Sequence, residues 1–382
     1  MESTSTAVIK LFLQVGQLFQ TDNEIQTIIQ IIFSLSFILY IFYAQRIQTM
    51  TMLRQVEGTL RKVKALRDEG RQVSIQTIKE IGKPEKDPTP GVERFMESFL
   101  ITPTSMDPAG IVDKFEQLLN TREETFEAEV KALAPAASDS EIDTLENLLE
   151  AALALNVYYK VIRHYYLLGK KTMNIYVILQ IHMVLPLIMR EIEAYSAALL
   201  AFKQGMPIGD GVGALTAAKL MHGQQWRRIA KETVAAEGSF EGRKILVMKA
   251  EGPGGTVGKP GDAIRILLEE HKDEVKAIIM VDAAGKLEGE MNGEVAEGIG
   301  AAIGGTGVEK FRIEEAAKDF NVPLYAVAIK QDISAVVAPL EEELFEATDK
   351  AVEAVKRIVN EKTKEGETVI VAGIGNTVGI AQ

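Results

Sequence analysis

From residue 25 to residue 44 the chain runs I-Q-T-I-I-Q-I-I-F-S-L-S-F-I-L-Y-I-F-Y-A without a single charge. About twenty helical residues at a rise of about 1.5 Å each span the ~30 Å hydrocarbon layer of a bilayer. A helix buried in a soluble core would usually keep a polar stripe. This one offers only Gln26, Thr27, Gln30, Ser34 and Ser36, gathered in its first half. Tyr40 and Tyr43 suit the membrane interface at its far end. The segment therefore predicts a single transmembrane helix at 25–44.

Charge sets the expected orientation. Lys10 is the one basic residue before the run, whereas Arg46, Arg54, Arg61, Lys62, Lys64, Arg67 and Arg71 follow it. The positive-inside bias places the C-terminal side in the cytoplasm and residues 1–24 outside, as an extracytoplasmic tail. A cleaved signal sequence fits less well, because Lys10 is offset by Glu2, Asp22 and Glu24 and no small-residue cleavage motif follows Ala44.

The 382 residues leave room for about two domains beyond the anchor. The absence of cysteine excludes disulfides, thiolate metal sites and cysteine nucleophiles. A net charge of −12, with the basic clusters lying next to the apolar run, argues against a nucleic-acid partner.

Residues 45–82 read as a juxtamembrane amphipathic helix. Met50, Leu53, Val56, Leu60, Val63 and Leu66 recur at spacings of three and four, a narrow seam suited to pairing either with a second copy or with the chain's own domain. The three prolines of G-K-P-E-K-D-P-T-P-G, Gly82 to Gly91, cannot form a helix interior, so 83–106 is expected to be a linker.

Residues 107–205 read as a helical domain, with Asp107-Pro108 as a helix start and Ser138 with Glu141 as a capping box. Within it, Thr172 to Met189 is a second long apolar run. Asn174, Gln180, His182 and Pro186 favour a buried central helix over a second span, which would carry the C-terminal domain outside. His164 and His182 lack partners at helical spacing, so no metal site is expected.

Residues 206–382 differ in texture. Glycine density rises and short β-rich runs alternate with helical ones, the pattern of a three-layer α/β domain with a mainly parallel sheet. Strands are expected at 244–249, 275–281, 324–329 and 368–372, and helices at 262–271, 293–303, 313–320 and 333–360. The predicted class is thus α+β and multi-domain: an anchor, an all-α middle region and a glycine-rich α/β domain.

Ligands of open α/β sheets bind at the carboxyl ends of strands. There the first strand leads into Glu251-Gly252-Pro253-Gly254-Gly255-Thr256-Val257-Gly258-Lys259-Pro260-Gly261, in which backbone N–H groups and a helix N-terminus can cradle an anion. It is not a Walker A loop, since Pro253 stands where glycine and Pro260 where a hydroxyl is required. The last strand ends in G-N-T-V-G, Gly375 to Gly379, echoing G-G-T-V-G at Gly254 to Gly258. If the two strands are neighbours, both loops serve one crevice; the other reading is that the glycines only permit tight turns.

The candidate ligand-binding residues are Gly254, Gly255, Thr256, Gly258, Gly375, Asn376 and Thr377, with Lys259 as counter-charge and Asp282 as partner of Mg²⁺ or a ribose hydroxyl. Two more glycine clusters lie at Pro207 to Gly213 and Gly298 to Gly307. Among His164, His182, His222 and His271 none lies in a nucleophile-elbow context, so no catalytic triad is expected.

P-I-G-D-G-V-G, G-P-G-G-T-V-G-K-P-G, the stretch from D-A-A-G-K-L-E-G-E to G-A-A-I-G-G, and G-I-G-N-T-V-G resemble an archaeal membrane-protein family of this length whose function is undefined. The resemblance implies a membrane protein and supplies no catalytic residue. The functional expectation is a membrane-anchored cytoplasmic domain that binds a phosphorylated or other anionic small ligand, such as a nucleotide or phosphate with Mg²⁺. The alternative is an oligomeric membrane-anchored scaffold without catalysis. Expected partners are membrane lipid, further copies of the chain and the small ligand, and not nucleic acid.

Overall fold

The computed structural model describes residues 23–102, 110–305 and 307–382. The tail up to residue 22, the Asp107-Pro108 helix start and Thr306 lie outside the described residues. Two compact units emerge among the described residues, one combining 23–59 with Ile162–Leu185, the other 60–161 with Pro186–Gln382.

Helix α1, Asn23–Thr77, carries the apolar run straight into the basic segment, so the expected anchor and juxtamembrane helix are one element. It ends in a π turn, Ile78–Gly82, followed by Lys83 in the left-handed region. Helix α2, Thr89–Phe95, lies inside the expected linker: Pro88 and Pro90 sit at its start, where a missing N–H costs nothing. Helices α3 (Ile111–Leu133), α4 (Asp139–Thr172) and α5 (Ile175–Gln204) form the middle region. The Ser138 capping box is present, with the Ser138 N–H and hydroxyl both donating to Glu141 Oε2 at 2.8 and 2.7 Å.

Among the described residues two helices are long and apolar enough to cross a membrane, Thr27–Gly82 and Ile175–Gln204. In the first unit, α4 turns into α5 at Met173, whose φ is 50°, and Asn174 Oδ1 accepts the Tyr176 N–H at 2.9 Å. A Cβ on Gly169 would fall 2.7 Å from Ile178 and 3.6 Å from Leu53 of α1, so the hairpin closes tightly on that helix. His182 bonds Gln55 at 2.7 Å. The expectation of a buried central helix needs correction, since only 22% of the apolar window of α5 is buried. Sequence polarity says nothing about which surface covers the apolar residues.

The second unit contains a seven-stranded sheet: β1 (Trp226–Ala230), β2 (Thr233–Phe240), β3 (Arg243–Ala250), β4 (Val275–Gly285), β5 (Glu294–Ile299), β6 (Leu324–Gln331) and β7 (Thr368–Gly373). Its order is β1-β2-β3-β7-β4-β6-β5. The β3/β7, β7/β4 and β4/β6 pairs are parallel, whereas β1/β2, β2/β3 and β6/β5 are antiparallel, so the sheet is mixed and not mainly parallel. Residues 293–303, expected as a helix, supply β5, whose glutamate- and alanine-rich sequence is overridden by pairing with β6. The expected helix 333–360 is two, α9 (Ile333–Val337) and α10 (Glu342–Lys362), separated at Pro339.

Alternation along β7 explains the layering. Val369 and Val371 pack with α6 (Val212–Met221) and α10, through Ala217, Ala351 and Ile358, whereas Ile370 and Ala372 pack with α7 (Pro260–His271) and α8 (Val308–Asp319), through Ile264, Leu268 and Ile313. The connection from β3 through α7 passes over β7 to reach β4, and the return through α10 places β7 between them. Loops leaving β3, β4 and β7 thus meet at one end of the sheet.

Candidate functional site

In the parallel register Lys249 of β3 and Val281 of β4 both flank Gly373 of β7. The two echoing loops are therefore neighbours, and they are knitted together. The Thr377 N–H donates to Thr256 O at 3.1 Å, Thr377 Oγ1 to Glu251 O at 2.9 Å, and the Gly379 N–H to Pro253 O at 3.1 Å.

A third element closes over this seam. Asn147 of α4 donates to Gly255 O at 2.5 Å, and Asn376 Nδ2 donates to Asn147 Oδ1 at 2.8 Å. A Cβ on Gly254 would lie 2.4 Å from Asp143 Oδ2, and one on Gly255 2.4 Å from Asn147 Nδ2. These glycines admit a helix of the same chain. Thr256 donates to Glu232 and accepts the Gly258 N–H. Gly254, Gly255, Thr256, Asn376 and Thr377 thus serve the internal seam.

Gly258, Lys259, Asp282 and Gly375 instead line a cavity of about 580 Å³ at the carboxyl ends of the strands, together with Asp210, Gly304, Gly305, Gly307 and Glu309, and with Glu116 and Glu123 of α3. Lys259 Nζ donates to Glu123 at 2.9 Å and Asn120 at 3.1 Å, so its charge is already matched. Glu116 is paired with Arg312. At the start of α7 the Gly261 N–H donates to Glu309 Oε2 at 2.8 Å, placing a carboxylate of the chain itself where a helix N-terminus would hold an anion.

Asp282, 8% exposed at the end of β4, accepts the Ala283 N–H at 2.7 Å. Burial, reinforced by repulsion from Asp210, pushes its carboxyl up to about 8. Asp210 accepts the Asn376 N–H at 2.8 Å, and burial raises its carboxyl as well. Among the described residues, Asp210, Asp282 and Glu309 line the cavity without a salt-bridge partner. Asp210 was not among the candidate residues, although its cluster was noticed. Its signal is an aspartate between two glycines, which let the turn enter closely: a Cβ on Gly209 would lie 2.1 Å from the carbonyl oxygen of Ala335, and one on Gly211 2.8 Å from that of Asn376.

The cavity is therefore acidic. A bare phosphate would further oppose ionisation of these buried carboxyls, whereas a ligand that brings a cation favours their charged form and is attracted. Among the described residues no cluster of three or more His, Cys, Asp or Glu could hold a metal by itself.

Two family models match the chain. One, described as the N-terminal domain of a protein of unknown function (DUF1512), covers residues 30–205; the other, described as the C-terminal domain of unknown function (DUF1512), covers 208–381. No curated protein matches the chain.

Proposed function

This chain belongs to the DUF1512 family, and on that premise we propose that it is a single-pass membrane protein whose cytoplasmic C-terminal domain binds a small phosphorylated ligand together with Mg²⁺. The observation that carries the ligand reading is the pair Asp210 and Asp282, two mutually repelling carboxyls on the wall of one cavity. Mg²⁺ is typically held by one or two carboxylates plus substrate phosphates, so a phosphate at the glycine-rich start of α8 completes a site that the protein alone leaves incomplete.

The test is a thermal-shift series on the full chain in detergent, with nucleotides and sugar phosphates, each with Mg²⁺ or with EDTA. The midpoint is expected to rise only when ligand and Mg²⁺ are present together. A rise that persists unchanged in Asp282→Asn places the ligand elsewhere, and no rise with any phosphate rejects the reading.

The anchor reading is supported by the apolar window of α1, none of which is covered among the described residues, and by the basic residues that follow it. Full-length protein is expected to stay in the membrane pellet after alkaline carbonate extraction, and a variant beginning after Ala44 to leave it. Retention of that variant in the pellet contradicts anchoring by α1.

A specific observation also favours self-association. Leu179, Met183 and Leu187, four residues apart on α5, are 37, 68 and 58% exposed. A second copy that pairs along this stripe would cover it, which supports the scaffold as a role combined with ligand binding. Met183→Glu with Leu187→Glu is expected to lower the particle mass in detergent, measured by light scattering; an unchanged mass rejects the stripe as a contact.

A further inference from the structure

The turn between α4 and α5 lies in the same unit as the apolar run of α1, and its height above that run follows from helix geometry. Gly169 packs beside Leu53, nine residues beyond Ala44, which is at most about 13 Å along the helix. Met173 is four residues beyond Gly169, and α5 then runs back alongside α1, with His182 bonded to Gln55. Four residues return about 6 Å towards the run, which leaves the turn about 7 Å from its end. Thr49, at that level, is only 2% exposed. The headgroup layer of a bilayer is about 5 to 7 Å thick on each side.

The side chains at the turn suit that depth. Lys170 and Lys171 are exposed and without an ion pair among the described residues, Met173 is partly open, and Tyr176 is 75% exposed. Lysines beside an exposed tyrosine are the composition of an interfacial belt, in which the ammonium groups meet lipid phosphates and the ring lies among the headgroups.

We propose that this turn is a membrane foot: Lys170, Lys171 and Tyr176 rest on the anionic headgroups of the cytoplasmic leaflet and hold the α4–α5 hairpin at a fixed height beside α1. The proposal rests on the anchor reading. It also assigns Thr172 to Met189 a place outside the hydrocarbon, because α5 leads away from the bilayer.

The test uses full-length protein with the single native tryptophan replaced, Trp226→Phe, and one reporter introduced at a time, Tyr176→Trp or Leu35→Trp. Each protein is reconstituted in phosphatidylcholine bilayers with or without phosphatidylglycerol, and quenching is read with lipids brominated near the headgroup for Tyr176→Trp and deep in the acyl chain for Leu35→Trp, which lies about 13 Å inside the end of the run. Tyr176→Trp is expected to lose at least about half of its emission in phosphatidylglycerol-containing bilayers, and to be protected from that loss by Lys170→Glu with Lys171→Glu. Quenching at Leu35→Trp with none at Tyr176→Trp overturns the foot and leaves the anchor standing. No quenching at Leu35→Trp overturns the anchor, and the foot with it.

Discussion

Gly375→Ala is expected to destabilise the C-terminal domain by at least about 3 kcal/mol, lowering its melting midpoint by roughly 10 °C or preventing recovery of folded protein. Gly375 has φ 123°, a region closed to L side chains, and an added Cβ would fall 1.9 Å from the carbonyl oxygen of Asp210. The obstructing atom is backbone, and it belongs to the turn that carries a cavity-lining carboxyl. Relief of the clash has to move Asp210 or the end of β7. Gly289→Ala is the matched control, with nothing within 4 Å of its Cβ position and an expected change within about 0.5 kcal/mol. Circular-dichroism melting of both variants decides the matter, and coincident midpoints contradict the described contact.

Asp282→Asn is expected to do the opposite: to stabilise the ligand-free protein while abolishing ligand response. The Asp282 carboxyl is pushed from the ordinary 3.8 up to about 8 by burial and by Asp210. Between those values the folded state binds more protons than the unfolded state, so stability is fully present below about pH 4 and is lost as pH rises through 8. At pH 7 the folded carboxyl is mostly protonated, and the burden, on the order of 4 kcal/mol before relaxation, is the cost of taking up that proton, which asparagine, neutral at every pH, does not bear. The gain is expected to be several degrees at pH 8 and to vanish at pH 4. Asp143 and Glu146, raised to about 6 and about 8, share the direction.

Lys249 acts in a separate window. Burial lowers its ammonium to about 8, so its contribution rises with pH only above that point. Melting against pH should therefore fall towards pH 8 and flatten or recover beyond it. A profile of Asp282→Asn parallel to wild type throughout removes this carboxyl from the explanation, whereas a gain confined to neutral and alkaline pH that Mg²⁺ with ligand matches in the wild type supports it.

Much of this was legible in the residues. The uncharged run from Ile25 to Ala44 announces itself by length, Ser138 with Glu141 is a local cap, and the four central strands are short apolar runs bounded by turns. The three strands outside the central four were not legible. W-R-R-I-A and T-V-A-A-E-G-S-F are charged or alanine-rich, and E-V-A-E-G-I has helical composition, so only pairing with a neighbour makes them strands. The site was half visible. Repetition of G-T-V-G and N-T-V-G brought the two loops to notice, but the glycine surface is taken by Asp143 and Asn147, more than a hundred residues earlier in the chain. Asp210 reaches the cavity only because β7 lies beside β4, a relation that no local pattern encodes.

The placement of β7 also has a consequence for biosynthesis. It is the last of the seven strands to be made, yet it lies between β3 and β4 and links the two halves of the sheet by hydrogen bonds to both. At roughly 5 to 20 residues per second, a ribosome needs on the order of ten seconds to pass from the end of β3 to the end of β7. Through that interval the nascent chain carries the open edge of β3 and, once Val275–Gly285 has been made, that of β4, both apolar and ready templates for pairing with other chains. On the anchor reading, a chain whose α1 has entered the bilayer waits tethered at the membrane surface, where neighbouring translation products are close, so chaperone protection of this stretch would raise the yield.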